Sequence, residues 1–113
     1  HLGAWAPVGV VVHARTAEFL ALRVLDDAAA LAARAPGVDV ALLAAYLRAC
    51  TAICRGDADA GAVALAPPSE RFHWITAPRS DVLQCSPVHA GLAADPAAAL
   101  DRLYALHVTG ESV

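Results

Sequence analysis

The hydrophobic pattern at the start of the chain predicts two strands. Residues 8–12 read VGVVV, and a short β-branched run of this kind is typical of a buried strand. A second apolar run, residues 19–25 (FLALRVL), follows after the turn-like residues 13–17. Two such runs separated by a short connection predict a β-hairpin.

Two further segments carry clear helix signals. Asp26 or Asp27 precedes an alanine-rich stretch that ends at residues 36–37, Pro-Gly. Alanine is the strongest helix former and aspartate a favoured N-cap, so this stretch predicts a short helix. Near the other end of the chain, residues 95–96 are Asp-Pro. An acidic N-cap followed by proline at the first helical position predicts another helix start.

A longer helix is predicted between these two, with Asp39 as its N-cap and Gly56 as its C-terminal glycine. Its apolar residues recur at intervals of three and four, which places them on one face of a helix. That face consists of Leu43, Leu47, Cys50 and Cys54. A second apolar stripe beside it consists of Leu42, Tyr46 and Ile53. We therefore expect most of the surface of this helix to be covered.

The remaining apolar segments predict three more strands, at residues 62–66, 71–76 and 82–86. Residues 71–76 (RFHWIT) carry aromatic and β-branched side chains, which favour strands, and they lie close enough to residues 82–86 for a second hairpin. No strand–helix–strand rhythm repeats along the chain. The predicted fold class is therefore α+β, with an antiparallel sheet of about four to five strands and three helices packed mainly on one face. The whole chain, residues 1–113, is expected to form a single domain.

Composition narrows the classes of function. Of the 113 residues, 58% are hydrophobic and 17% are charged, a balance that excludes an intrinsically disordered protein. The formal net charge is −3, so no overall positive field favours nucleic acid or an acidic membrane surface. No apolar run reaches the roughly 20 residues that a membrane span needs, and no secretory leader is recognisable. We therefore expect a cytoplasmic protein that binds neither nucleic acid nor membrane.

The cysteines, Cys50, Cys54 and Cys85, allow two interpretations. An odd number argues against a disulfide framework, and free thiols are usually small buried hydrophobic groups. Alternatively, the three thiols and His89 could form a Cys3His zinc site, since zinc binds thiolates and imidazole tetrahedrally. The spacing is not C-x2-C, and two of the thiols lie on the apolar helix face. We therefore favour buried thiols and expect no metal or cofactor.

Residues 74–91 (WITAPRSDVLQCSPVHAG) concentrate polar side chains in a largely apolar chain. In the predicted second hairpin, Arg79 and Ser80 lie at the tip, where a guanidinium, a hydroxyl and turn amides can hold a phosphate or a carboxylate. A surface turn is the simpler alternative, because Pro, Ser and Asp are common turn residues and Arg79 can pair with Asp81. The segment is therefore a candidate binding site whose alternative is purely structural.

Nucleophilic catalysis is weakly supported by the same segment. The combinations that can be written are Cys85 with His89, and Ser80 or Ser86 with His89 and Asp81. No nucleophile-elbow glycine pattern accompanies any of them, and catalytic triads are recognised by geometry rather than by closeness in sequence. Whether the protein is an enzyme stays open at this point.

The segment FHWITAPRSDVLQCSPVHAG, followed by Asp-Pro and a leucine-bearing helix, resembles the bacterial family called domain of unknown function 3037. Members carry a similar W-L-T-A-P-R-S, then S-P-V-H-T-G, then a D-P helix start, and their N-V-G-V strand resembles the early VGVVV. Pro7 stands where that pattern has Asn, and Ala90 where it often has Thr. Members usually begin with one more strand, of the type R-Y-x-P, which would precede His1. The resemblance covers nearly the whole chain.

The resemblance implies no particular reaction, but it indicates which residues could form a binding site and what kind of partner to expect. Members are often encoded beside a kinase-like protein of the toxin–antitoxin type, which favours a partner-binding role. If the family has a binding site, its residues here would be Arg79, Ser80, Gln84, Ser86 and His89, and we add Thr76 from the same polar segment.

The sequence supports two alternative functions. The first is a small accessory domain that acts by protein–protein contact, either as a homodimer or with a partner such as the kinase-like neighbour. Its basis is that the apolar elements carry more hydrophobic surface than a domain of this size buries easily. The alternative is a small-molecule or phosphate-binding protein, with enzymatic activity left open, that uses residues 74–91.

Overall fold

The computed structural model describes residues 7–77 and 95–110, which combine helices with one antiparallel hairpin. Strand β1 (Gly9–Ala14) pairs with β2 (Phe19–Val24), and Val11 lies opposite Leu22 in the register. Glu18 completes the connecting turn with a φ of 51°. The predicted first hairpin is therefore confirmed, and the described part of the chain is of the α+β class.

Helices α1 (Ala28–Arg34) and α2 (Val40–Arg55) follow the hairpin, and both begin at the predicted caps. The side chain of Asp27 accepts a hydrogen bond from the Ala30 amide at 2.9 Å. The side chain of Asp39 accepts one from the Leu42 amide at 3.2 Å. These bonds satisfy amides that a helix N-terminus leaves without intrahelical partners. Local chemistry therefore fixes where both helices begin.

The core lies between β2, α1 and α2. Leu31 is 0% exposed and packs with Leu43 and Leu47, and Val24 of β2 packs against this cluster. The predicted apolar face of α2 is confirmed, since all of its members are buried: Leu43, Leu47, Cys50 and Cys54. The second stripe is only partly covered, because Leu42 is 62% exposed. Helix α2 therefore keeps one uncovered face, contrary to expectation.

Two of the predicted strands are helical instead. Residues 62–66 coincide with a 3-10 helix (Ala62–Leu65), which follows another short 3-10 helix (Ala58–Ala60). Residues 71–76 form the greater part of helix α3 (Pro68–Thr76). Pro68 at the first turn has a φ that suits a helix start, and this local signal outweighs the strand preference of the aromatic residues.

The second hairpin is therefore wrong in its first strand, and its second strand lies outside the described residues. The sheet formed by the described residues has two strands rather than four to five, and these residues form four α-helices rather than three.

Helix α4 (Pro96–Tyr104) begins at the predicted Asp-Pro signal, with the Asp95 carboxylate accepting from two amides of the first turn. It continues into a π-helical turn (Ala105–Thr109) that ends at Gly110, whose φ is 73°. Arg34 of α1 donates to the carbonyl oxygens of Pro7 and Val108. One guanidinium thus joins the start of β1, α1 and the π-helical turn.

The helices cover both faces of the hairpin, not mainly one face as predicted. His13 of β1 lies against Phe72 of α3, with ring centroids 5.1 Å apart. Arg23 lies opposite Val10 in the register, so the two side chains point to the same face of the hairpin. His13 points to the other face, because it is three residues from Val10 on the same strand. Arg23 forms an ion pair with Asp101 of α4 at 3.0 Å. Helix α4 therefore packs on one face of the hairpin, and α3 packs on the other.

None of the helices in the described residues combines the length and the apolar character that crossing a membrane requires.

Candidate functional site

Helix α3 is anchored along one side by two neighbouring residues. The Arg71 guanidinium donates to the Ile53 and Cys54 carbonyl oxygens at the end of α2, at 3.3 and 3.2 Å. The Ile53 carbonyl also accepts from the Gly56 amide at 3.0 Å, and a cation is favourable at a helix C-terminus. Phe72 packs on His13 of β1. The two contacts fix which side of α3 faces away from the rest of the fold.

The side of α3 that faces outward lines a shallow, open depression. Its volume is about 490 Å³. The lining side chains are Val63 from the 3-10 helix, and Ser69, Glu70, His73 and Trp74 from α3. Because these α3 positions are separated by one, three, four and five residues, they share one helix face. The depression has an apolar part and an adjacent polar rim.

Glu70 and Trp74 give this depression its chemistry. They are four residues apart on α3, a spacing that brings side chains on a helix surface next to each other. Glu70 lies in the first turn of the helix and is exposed, and the N-terminal end of a helix favours a negative charge. Trp74 is half-buried beside it. The lining of the depression therefore includes a carboxylate and an indole.

Of the site residues predicted from the sequence, Thr76 lies within the described residues. It ends α3, and its hydroxyl donates to the Phe72 carbonyl oxygen at 2.9 Å, so its proton is engaged within its own helix. The other predicted site residues are Arg79, Ser80, Gln84, Ser86 and His89, and they lie outside the described residues. Whether they form a binding site stays a prediction.

The two cysteines of α2 behave as buried apolar groups. Cys50 and Cys54 are reduced thiols, 5% and 6% exposed. Burial raises the pKa of Cys54 to about 12; the neighbouring Cys50 adds to this rise and Arg71 opposes it. Cys54 is therefore a neutral thiol near neutral pH, unsuited to nucleophilic attack or metal binding. No group of three or more metal-ligating side chains occurs within residues 7–77 and 95–110. The zinc hypothesis also requires Cys85 and His89, and both lie outside these ranges.

Sequence reasoning did not select Val63, nor three of the α3 residues that line the depression: Ser69, Glu70 and His73. His73 was interpreted as a strand residue, because residues 71–76 had been assigned to a strand. The signal that could have found them is the Pro-Pro-Ser-Glu sequence at residues 67–70. Proline in the first turn followed by glutamate is typical of a helix start, and helical periodicity would then have grouped these side chains with Trp74.

Comparison with known proteins identifies a family. No curated protein and no solved structure matches the chain significantly. A family model described as "Protein of unknown function (DUF3037)" matches residues 4–108, which is nearly the whole length. The match confirms the resemblance seen in the VGVVV strand and in the polar motif before α4, and on this evidence the chain belongs to the DUF3037 family.

Proposed function

We propose that this protein is an accessory domain that acts by protein–protein contact through the uncovered side of α2. We call this surface the outer face of α2, and it consists of Ala41, Leu42, Ala45, Arg48, Ala49 and Arg55, all exposed. The observation that carries the proposal is that a helix of 16 residues leaves a leucine 62% exposed beside a row of alanines. Small side chains let a second helix approach closely, and the leucine adds apolar area to the contact.

The charges on this face favour an acidic partner. Helix α2 contains no Asp or Glu, so Arg48 and Arg55 have no acidic neighbour at the helical spacings that form ion pairs. Neither forms a salt bridge with any described residue. The two arginines are seven residues apart, which is two helical turns, and they therefore lie along one edge of the face. A partner helix with small apolar residues and two carboxylates at the same spacing would complement it.

The same charges favour a different protein over a second copy of this chain. In a twofold contact the same patch faces itself, so a dimer through this face would bring arginines from both copies close together. Like charges at an interface are unfavourable. The homodimer expected from the sequence is therefore the weaker form of the proposal, and an acidic surface on another protein, such as a kinase-like neighbour, is the stronger one. We also propose a reducing, cytoplasmic setting, in which buried thiols such as Cys50 and Cys54 stay reduced.

Co-purification from the source cells tests this proposal, with Ala45→Glu compared against Ala33→Glu. Ala45 lies in the centre of the outer face, whereas Ala33 is equally exposed but lies on α1. Glutamate at position 45 adds bulk and a charge that repels an acidic partner, so we expect the partner to be lost with Ala45→Glu and kept with Ala33→Glu. Light scattering on the purified chain then distinguishes one copy from two. A partner that both variants retain would contradict the assignment to α2.

A further inference from the structure

We propose that the depression on α3 binds the cationic end of an arginine or lysine side chain presented by a peptide or protein. This site is distinct from the outer face of α2, which is basic and suits an acidic partner. The observation that carries the proposal is the pairing of Glu70 with Trp74 on one face of α3, in a depression large enough for a side chain.

A cation in this depression meets two attractive groups at once. The carboxylate of Glu70 forms a charge-assisted hydrogen bond with a guanidinium or ammonium group. The indole of Trp74 attracts the same cation through its ring face, and this attraction acts within about 6 Å of the ring centre. Side chains four residues apart on a helix have Cβ atoms about 5–6 Å apart. One cation can therefore contact both groups, and the planar guanidinium of arginine suits them best because it also stacks on aromatic rings.

The depression is prepared for such a ligand in two respects. Helix α3 is held in place by Arg71 at the end of α2 and by Phe72 against His13, so the outward face does not have to form on binding. Glu70 has no salt bridge with any described residue, so its carboxylate does not have to leave another partner. The remaining polar groups, Ser69 and His73, lie on the rim.

Tryptophan fluorescence tests the proposal directly. The chain has two tryptophans, so a Trp5→Phe variant leaves Trp74 as the single reporter. This variant is titrated with N-acetyl-arginine amide and, separately, with N-acetyl-citrulline amide, which has a similar shape but carries no charge. We expect a saturable change in Trp74 emission with the arginine compound at millimolar concentration, weakened by added salt. The citrulline compound should give no saturable change.

Two substitutions in the Trp5→Phe background assign the effect to Glu70. Glu70→Gln should weaken arginine binding by about threefold or more, as expected for the loss of an exposed ion pair. Glu18→Gln removes the same charge from the β1–β2 turn and should leave binding unchanged. Circular dichroism confirms that each variant is folded. An equal response to citrulline, an unaltered affinity in Glu70→Gln, or no response of Trp74 would each overturn the proposal. Ala45→Glu should not alter this titration, which separates the site from the outer face of α2.

Discussion

The guanidinium of Arg71 occupies the space that a side chain at Gly56 would need. A Cβ atom at Gly56 would lie 2.7 Å from Arg71 Nη1, and the same Nη1 donates to the last carbonyls of α2. Gly56 also has a φ of 74°, in the left-handed region that favours glycine. The end of α2 and the position of α3 therefore depend on one glycine and one arginine together.

Gly56→Ala should destabilise the protein more than Gly37→Ala. Both glycines have a positive φ, but nothing lies within 4 Å of a Cβ at Gly37. Gly37→Ala therefore carries only the backbone strain, about 1–2 kcal/mol. Gly56→Ala also displaces the Arg71 hydrogen bonds and should lose about 1 kcal/mol more. Urea denaturation measures both values. In an Arg71→Met background the difference should disappear, and its persistence there would contradict the role given to Arg71.

Leu31 and Leu42 should respond very differently to truncation. Leu31 is 0% exposed within the core, whereas Leu42 is 62% exposed on the outer face of α2. Leu31→Ala leaves a cavity and should lower the free energy of unfolding by about 2–5 kcal/mol. Leu42→Ala should change it by about 0.5 kcal/mol or less. Thermal or urea denaturation of the isolated protein compares the two. A large loss in Leu42→Ala would mean that this leucine serves the fold rather than a partner.

Cys54 should make the protein less stable at alkaline pH. Its thiol has a pKa of about 12 in the folded protein against an ordinary value of 9.0. Below about pH 9 the thiol is protonated in both states, so its contribution to stability is fully present. Between about pH 9 and 12 the unfolded thiol ionises and the folded one does not, so this contribution is lost as pH rises.

The comparison with Cys54→Val isolates this effect from the other titrating groups. Between about pH 8 and pH 10, wild type should lose about 1 kcal/mol more stability than the variant. Urea denaturation at both pH values gives the difference. Equal losses in the two proteins would show that the thiol is not shielded in the fold.

Arg23 should matter more to stability than its ion-pair partner Asp101. The pair is exposed, at 49% and 69% for the two side chains, so Asp101→Asn should lose less than about 1 kcal/mol. Arg23 also lies over the Tyr104 ring at 4.2 Å, and Arg23→Ala removes this contact too, which adds about 0.5–1 kcal/mol. Urea denaturation at low and high salt separates the contribution of the ion pair from that of the ring contact, because salt screens the exposed ion pair. Equal losses in both variants would argue against the ring contact.

The parts of the fold that local chemistry determines could be predicted from the sequence. Asp27, Asp39 and Asp95 each act as an N-cap, because a carboxylate that bonds the first free amides acts within a few residues. The β1–β2 hairpin is also local. In contrast, Arg71 and Phe72 belong to a segment whose composition favours a strand, yet their contacts with α2 and β1 are made by a helix. The local start signal at residues 67–70 predicts a helix against that preference, but the sequence does not show which distant elements the helix contacts.

The sequence predicts the region of the chain near the candidate site, but not the residues that line it. Trp74 begins the polar segment that the sequence singles out. Glu70 is its neighbour on the surface because residues 68–76 form a helix rather than a strand. The alternation of polar and apolar residues in β2 also does not show which helix covers which face. In the sequence, Arg23 is only an isolated polar residue on a half-buried strand. Its place is explained by Asp101 and Tyr104 of α4, far along the chain. Periodicity identifies faces, but it does not identify what covers them.

The position of α4 has a consequence for how the chain is made. Arg23 and Asp101 are 78 residues apart, so the face of the hairpin that α4 covers is completed only after those 78 residues have been synthesised. Until then, the growing chain carries a hairpin with Val10, Val12 and Phe19 exposed on that face. Such a surface is a binding site for chaperones and a point of aggregation during synthesis. Docking of α4, rather than formation of the hairpin, is the step that shields this face.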